Sequence, residues 1–136
     1  MQTLINMYDL IKSTQHGSKL LGDMENSETN YTIEVTMRSN IYNYNSINNT
    51  ITISLMKTKW QGCTKNGWMY VTPLRALAHE IGHSVTQNED QNVLSNENPI
   101  VRALGLPERT GYEPTRYFGR NLFDYFGPEE GGKCGC

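Results

Sequence analysis

The sequence predicts one small domain of the α+β class. A chain of 136 residues has the length of a single domain. Segments that alternate apolar and polar residues, as strands do, precede a well-capped segment with apolar residues at helical spacing. That segment carries the motif His79-Glu80-Ile81-Gly82-His83. We therefore expect a domain of residues 1–127 in which a helix, strands and the histidine-bearing helix precede a mostly irregular second half.

The charge and hydropathy of the chain argue against two classes of partner. The formal net charge is −2 and the isoelectric point about 5.9, so no basic field is available to hold a nucleic-acid backbone. No apolar run approaches the roughly 18 residues that cross a bilayer. Residues 1–17 have neither the basic start nor the cleavage site of a signal peptide. We expect no nucleic acid and no membrane span, and the sequence fits a domain of a longer secreted polypeptide equally well.

The first element is predicted to be a helix. It is indicated by apolar residues at helical spacing, namely Leu4, Met7, Leu10 and Ile11. The helix should run from about Thr3 to Thr14, with Gly17 as a stop. The polar segment from Gly22 to Asn30 is typical of a loop.

Strands are predicted next. The segments Tyr31 to Met37 and Thr50 to Leu55 alternate in polarity and contain many β-branched residues, as half-buried strands do. The Asn- and Tyr-rich residues between them, Ser39 to Asn49, form either a long hairpin loop or a short middle strand. A turn between two glycines and a short strand from Trp68 to Val71 should follow.

The strongest helix signal surrounds the histidines. Thr72 is a good N-cap, and Pro73 suits the first helical position. The apolar residues that follow form one helical stripe: Leu74, Leu77, Ala78, Ile81 and Val85. Together they predict a helix from Pro73 to about Thr86.

A further helix is predicted downstream. Asn98 is its expected cap, Pro99 lies in its first turn, and Gly105 is its expected stop. The residues beyond it are rich in turn formers and aromatic side chains, which favours irregular structure.

The three cysteines do not form a disulfide framework. Cys63 stands alone, whereas Cys134 and Cys136 lie in a Gly-rich segment at the C-terminus. A bridge between two cysteines one residue apart would close a strained ring. We expect residues 128–136 to form a flexible tail, and the alternative is a metal or redox role for the Cys-Gly-Cys pair.

The motif His79-Glu80-x-x-His83 predicts a catalytic zinc site. Histidines four residues apart lie one above the other on a helix, so both imidazoles can bind one metal ion. Glu80 points beside the metal, where it can take a proton from the zinc-bound water and pass it to the leaving amine. Zinc lowers the pKa of that water to about 7. His16, a lone histidine beside a glycine, is expected to be a capping or solvated residue.

A catalytic zinc ion also needs a third protein ligand. Glu97 is the preferred candidate because the loop from Gln87 to Asn96 can reverse the chain and Asn98-Pro99 can hold the carboxylate in place. Glu89 and Asp90 are alternatives. On a continued helix Glu89 would point about 120° away from the metal, so it could bind only if the helix breaks first. Cys63 or water remains a further possibility.

The second half of the chain adds a resemblance. The stretch Asn96 to Tyr112 joins Glu97-Asn98 to Gly105-x-Pro107-x-Arg109-x-x-Tyr112. With the His-Glu-x-x-His motif, it resembles the signature of effector-type zinc metallopeptidases, which include NleD-like type III secretion effectors and C-terminal toxin domains of Rhs-type bacterial proteins. The resemblance covers about Thr72 to Tyr112.

This resemblance implies a minimal zincin-like fold, with a small, mostly antiparallel sheet packed on the active-site helix. It implies Zn²⁺ at His79 and His83, Glu80 as general base and Glu97 as third ligand. It also implies roles near the site for Arg109 and for Tyr112, whose hydroxyl could donate to the oxyanion. A protein or peptide substrate, an immunity protein as partner, and secretion or delivery as a bacterial effector or toxin domain are further expectations.

Two other functions fit the motif. A deformylase-like enzyme that hydrolyses a small amide also uses His-Glu-x-x-His, with an upstream Cys ligand that Gly62-Cys63 could supply. A non-enzymatic, zinc-stabilised binding module would need a closed site of four ligands. The presence of Glu80 argues against the module, since a structural zinc site has no use for a general base.

Overall fold

The computed structural model describes residues 2–38, 40–56, 58–117 and 130–134. The chain is of the predicted α+β class, with helices and two three-stranded sheets. Within these ranges no helix combines the length and apolar character needed to cross a membrane. The predicted domain boundary at residue 127 and Cys136 lie outside the described residues.

Two helices form the N-terminal part of the chain. Helix α1, Gln2–Lys12, agrees with the first predicted helix. The predicted stop at Gly17 is wrong, because helix α2 spans Gln15–Glu25. The predicted loop from Gly22 to Asn30 is correct only after Glu25, where the chain forms turns and bends. The N-cap of α2 is Thr14, whose hydroxyl accepts a hydrogen bond from the Gly17 amide at 3.0 Å. A Cβ at Gly17 would lie 2.0 Å from the Ile11 carbonyl oxygen, so this glycine permits close packing of the two helices.

The first sheet contains the two strands that alternation predicts. Strand β1 is Thr32–Thr36, β2 is Tyr42–Asn45 and β3 is Thr50–Ser54, in the order β1-β3-β2. The alternative of a short middle strand in the Asn- and Tyr-rich segment is therefore confirmed. β2 pairs antiparallel with β3, whereas β1 pairs parallel with it. Among the described residues, β2 lies at an edge of this sheet.

The second sheet is antiparallel and is only partly predicted. Strand β4 is Trp60–Thr64, β5 is Gly67–Tyr70 and β6 is Thr115–Tyr117, in the order β5-β4-β6. Only β5 was expected. The residue types of β4 hide it, because Gly62 is poor in strand propensity. A Cβ at that position would lie 3.0 Å from Nε of Arg109, so a larger residue there would crowd the Arg109 side chain.

Helix α3, Pro73–Gly82, carries the motif. It begins as predicted, since the Thr72 hydroxyl accepts from the Arg75 amide and Pro73 occupies the first turn. Its predicted end at about Thr86 is wrong. The helix ends at Gly82, with His83 as C-cap, and Val85 is exposed rather than part of the buried stripe.

The next helical segment is longer than predicted. Helix α4, Glu89–Asn92, continues through a π-helical segment, Val93–Glu97, into helix α5, Asn98–Ala103. The expected cap at Asn98 is therefore wrong. The cap of the whole run is Asn88, whose side chain accepts from the Gln91 amide. The stop at Gly105 is confirmed by its positive φ of 77° and by the Leu106-to-Val101 backbone hydrogen bond.

A disulfide joins Cys63 in β4 to Cys134. The interpretation of Cys63 as an isolated cysteine is thus wrong, because pairing across 71 positions was invisible in the local sequence. Residues 130–134 also form hydrogen bonds with β5: Gly131 donates to the Trp68 carbonyl, and the Trp68 amide donates to the Gly132 carbonyl. These residues are held against the sheet, whereas the sequence favoured a flexible tail.

The hydrophobic core lies between the first sheet and the helices. Its buried members include Met7, Ile11, Leu20, Leu21, Met24, Ile51, Ile53, Leu77, Ala78, Ile81 and Ile100. Helix α3 contributes Leu77 and Ile81 to this core, and its other side carries His79 and Glu80. The core thus fixes the face of α3 that borders the cleft described next.

Candidate metal centre

Three side chains converge at the end of α3. His79, His83 and Glu89 each offer one ligand atom, and these atoms lie within 4.8 Å of one another. Nε2 of His79 is 2.9 Å from Glu89 Oε2, and Nε2 of His83 is 3.4 Å from Glu89 Oε1. The structure thus brings together the two histidines of the motif and Glu89, one of the candidates for the third ligand.

These three residues fit a divalent transition metal such as zinc. Imidazole nitrogen and carboxylate oxygen are both zinc ligands, and neighbouring ligands of a tetrahedral zinc lie about 3.3 Å apart. The observed separations of 2.9 and 3.4 Å are of that size. Nδ1 of His83 lies 2.9 Å from the Thr86 carbonyl, which orients its Nε2 towards the centre. The donor set alone does not select one metal, since Fe, Co, Ni and Cu accept the same ligands.

The position of Glu89 follows from the end of α3. The break after Gly82 lets the chain turn back, and Asn88 then caps a new helix that has Glu89 as its first residue. The return helix packs closely: a Cβ at Gly82 would lie 2.0 Å from Asn92 Oδ1 and 2.7 Å from Asn96 Cβ. Asn92 donates to the His79 carbonyl at 2.8 Å. The helix break that Glu89 requires is therefore present.

Glu97 is not part of the ligand group. Its carboxylate lies on the opposite side of the His79 ring, with Oε1 3.0 Å from Nδ1. The group that could hold a metal ion contains Glu89 and does not contain Glu97, the preferred candidate of the sequence. Residues 89–97 form a helix rather than a loop, so Glu97 lies beside Nδ1 of His79 and Glu89 beside Nε2.

Two arginines surround the buried Glu97 carboxylate. Arg109 donates from Nη1 to Oε1 at 3.1 Å, and Nη1 of Arg75 lies 3.4 Å from Oε2. Burial raises the pKa of Glu97, but the His79 hydrogen bond and the charges of Arg109 and Arg75 outweigh it, and the pKa is lowered. For His79, burial lowers the pKa, but the contacts with Glu97 and the charge of Glu80 outweigh it, and the pKa is raised.

Glu80 is buried beside the group without belonging to it. It lines the same cleft as the two histidines, and its side chain is 7% exposed. Its pKa is raised to about 7: burial raises it most, the charge of His79 opposes this, and the negative charges of Glu89 and Glu97 raise it further. Such a carboxylate can both accept and release a proton near neutral pH.

Tyr112 and Arg109 also lie at the site, in different roles. The Tyr112 ring stacks on His79 with centroids 5.7 Å apart, and it borders the cleft. Burial, with the charge of Glu89, raises the pKa of Tyr112, so its hydroxyl stays protonated. Arg109 is 5% exposed. Its guanidinium contacts the Glu97 carboxylate and donates from Nη2 to the Tyr112 carbonyl at 2.7 Å. It therefore positions Glu97 and Tyr112. Arg102, by contrast, forms an exposed ion pair with Glu108.

The centre opens into a cleft of about 560 Å³. One wall is formed by β2, with Tyr42, Asn43 and Tyr44, and the Tyr44 ring lies 6.5 Å from that of His83. Glu113 and Thr115 also line the cleft. The sequence assigned a bordering strand to Ile51–Leu55 or Trp68–Val71. Of these only Val71 borders the cleft, because β3 is central in its sheet and β2 covers it.

Two further sequence candidates have other roles. Cys63 is 1% exposed and bonded to Cys134, so it does not supply a metal ligand. His16 lies in the first turn of α2 with Nε2 2.8 Å from Asn96 Oδ1, a specific contact rather than a solvated position. Asn96 in turn donates to Asn92 Oδ1 at 2.9 Å. The sequence offered no signal for this polar network.

Comparison with known proteins gave no assignment. No protein-family model matches the chain, and neither a curated protein nor a solved structure is significantly similar to it.

Proposed function

We propose that the protein is a zinc-dependent endopeptidase with a zincin-like fold. The observation that carries the proposal is the arrangement of His79, His83 and Glu89 around one point of a cleft, beside a buried carboxylate, Glu80, that is not one of them. Two His and one Glu form an established catalytic zinc set. The resemblance of residues 72–112 to effector-type metallopeptidases supports the same conclusion.

The chemistry divides among the residues of the cleft. Zinc, when bound, would supply an activated water and polarise the substrate carbonyl. Glu80 would accept a proton from the attacking water and transfer it to the leaving amine, for which a pKa of about 7 is suitable. The Tyr112 hydroxyl would donate a hydrogen bond to the substrate oxyanion. His79, His83 and Glu89 would hold the metal.

The edge strand β2 is the proposed binding site for the peptide backbone. The Ser54 amide donates to the Ile41 carbonyl, and bonded pairs alternate along an antiparallel ladder. The backbone groups of Tyr42 and Tyr44 therefore point away from β3, towards the side of β2 on which no strand of the described residues pairs. An extended substrate can add to this edge and present its scissile bond to the centre.

Neither alternative function gains support from an observation. The deformylase-like reading depends on Cys63 as ligand, and its sulfur is in a disulfide. A zinc-stabilised binding module would need four protein ligands, and the group found among the described residues has three.

We further propose that the protein acts outside the reducing cytosol of the cell that makes it. The Cys63–Cys134 disulfide supports this, since such bridges persist in oxidising compartments. Delivery as an effector or toxin domain, with an immunity protein as partner, follows only from the resemblance.

The test compares the parent protein with Glu80→Gln. The parent should contain about one equivalent of zinc and cleave members of a degenerate peptide library, with products identified by mass spectrometry. Glu80→Gln should retain the zinc and lose at least about 10²-fold in turnover, the usual contribution of a positioned acid–base group. Zinc below about a tenth of an equivalent that added zinc does not restore, or full turnover in Glu80→Gln, would refute the proposal.

A further inference from the structure

Glu97 is the most deeply buried charged residue next to the candidate centre. Its relative exposure is 0%, and a lone carboxylate in such a place would cost several kcal/mol. Arg75 from α3 and Arg109 from the loop before β6 neutralise it from two sides. The fold thus buries the Glu97 carboxylate together with two arginines, at a position where an apolar side chain could be buried without any ion pair.

The contact with His79 explains the placement. An imidazole that binds a metal through Nε2 carries its proton on Nδ1, and this N–H requires an acceptor. Glu97 Oε1 lies 3.0 Å from Nδ1, while Nε2 of the same ring faces Glu89. The carboxylates of Glu89 and Glu97 therefore contact opposite sides of the His79 ring. Glu89 lies on the side of the candidate metal position, and Glu97 lies on the other side.

The π-helical segment directs Glu97 to this position. In Val93–Glu97 the Asn98 amide bonds to the Val93 carbonyl, five residues back, which inserts one extra residue into the helical run. Such insertions in helices are rare and concentrate at functional sites. Here the insertion ends at Glu97 itself.

We infer that Glu97 is a positioning residue: it holds Nδ1–H of His79 and so directs the ring's Nε2 to the metal. Arg75 and Arg109 hold its carboxylate in place. The inference rests on the proposed metal site, but it assigns to Glu97 a role distinct from that of a ligand. Loss of such a contact weakens metal affinity about 10–100-fold in other zinc sites.

The experiment uses two variants and a matched control. Glu97→Gln removes the charge, whereas Glu97→Asp keeps the charge between the arginines but withdraws it from Nδ1. Glu108→Gln is the control, because Glu108 also bridges two cationic side chains, those of Arg102 and Lys65, away from the centre. Zinc affinity is measured by competition with a chelator, and ligand number by the absorption spectrum of the cobalt-substituted protein.

The expected result is a 10–100-fold weaker zinc affinity in both Glu97 variants, an unchanged cobalt spectrum, and a change below about 2-fold in Glu108→Gln. A folded Glu97→Asp that binds zinc within about 2-fold of the parent overturns the inference. A cobalt spectrum altered as in Glu89→Ala also overturns it, since Glu97 would then be a ligand.

A measurement on the parent keeps the inference testable if the variants do not fold. Long-range ¹H–¹⁵N correlation of the zinc-loaded parent should show His79 protonated at Nδ1 and metal-bound at Nε2. The opposite assignment overturns the inference. Both outcomes leave the proposed function intact, which fails separately if the parent does not bind zinc.

Discussion

The close approach at Gly82 provides a direct test of how the metal centre is built. In Gly82→Ala the new Cβ would lie 2.0 Å from Asn92 Oδ1 and 2.7 Å from Asn96 Cβ. Neither neighbour can move freely, because Asn92 is fully buried and donates to the His79 carbonyl. Overpacking of this kind costs about 1–3 kcal/mol, and the strained hydrogen bond adds about 1 kcal/mol. Replacing this helical glycine by alanine also returns about 0.4–1 kcal/mol, so we expect a net loss of about 1–3.5 kcal/mol in the free energy of unfolding.

The matched control is Gly22→Ala. Gly22 lies inside α2, and a Cβ there would meet no atom within 4 Å. Alanine should therefore raise the free energy of unfolding by about 0.4–1 kcal/mol. Urea unfolding followed by circular dichroism measures both changes. Gly82→Ala should in addition bind zinc more weakly, because displacement of α4 moves Glu89. A Gly82→Ala protein with parental stability and zinc affinity would show that the helix crossing does not depend on this glycine.

Two further predictions concern the third ligand and the disulfide. Glu89→Ala should weaken zinc binding at least about 10²-fold in a chelator competition. The control Glu113→Ala, which removes another carboxylate of the cleft, should change zinc binding less than about 3-fold. Equal effects of the two substitutions would show that Glu89 is not a ligand. The double variant Cys63→Ser/Cys134→Ser should be less stable by about 2–4 kcal/mol, since the bridge closes a loop across 71 positions. A reductant should lower the urea midpoint of the parent protein and leave that of the double variant unchanged. If the reductant does not change the midpoint of the parent either, the prediction is wrong.

The parts of the fold that were predicted correctly carry local signals. Thr72 and Pro73 specify the start of α3 through a side-chain cap and a fixed φ, and both act within one helical turn. Strands β1 and β3 follow from alternation, which reflects one buried and one exposed face. Such signals need no knowledge of distant residues. The disulfide lacked them because its two cysteines are 71 positions apart. Strand β4 lacked them because Gly62 lies within it and one of its two partner strands, β6, is far away in the chain.

The first part of the return helix, residues 89–97, was not predicted from the sequence because the side that faces α3 is mostly polar. Residues at positions i, i+3, i+4, i+7 and i+8 face α3, namely Glu89, Asn92, Val93, Asn96 and Glu97. Periodicity analysis searches for apolar stripes, and this stripe has only one apolar member. Each polar member has a partner on α3 or in the helix itself, so burial of these groups is compensated. Asn88 as cap and Glu89 in the first turn were the available signals.

The exchange of roles between Glu89 and Glu97 shows why a ligand could not be chosen by spacing alone. The argument against Glu89 assumed that α3 continues, which would turn that carboxylate about 120° from the metal. The helix instead ends at Gly82, and the next helix returns so close that a Cβ at Gly82 would meet Asn92, which no local pattern reveals. The argument for Glu97 assumed a loop, but a helix carries it past the ring to Nδ1. Each nitrogen of the His79 ring has a carboxylate beside it. A glutamate that suits the site chemically can therefore lie either at Nε2, as a candidate ligand, or at Nδ1. Deciding between them requires the direction from which the second helix returns.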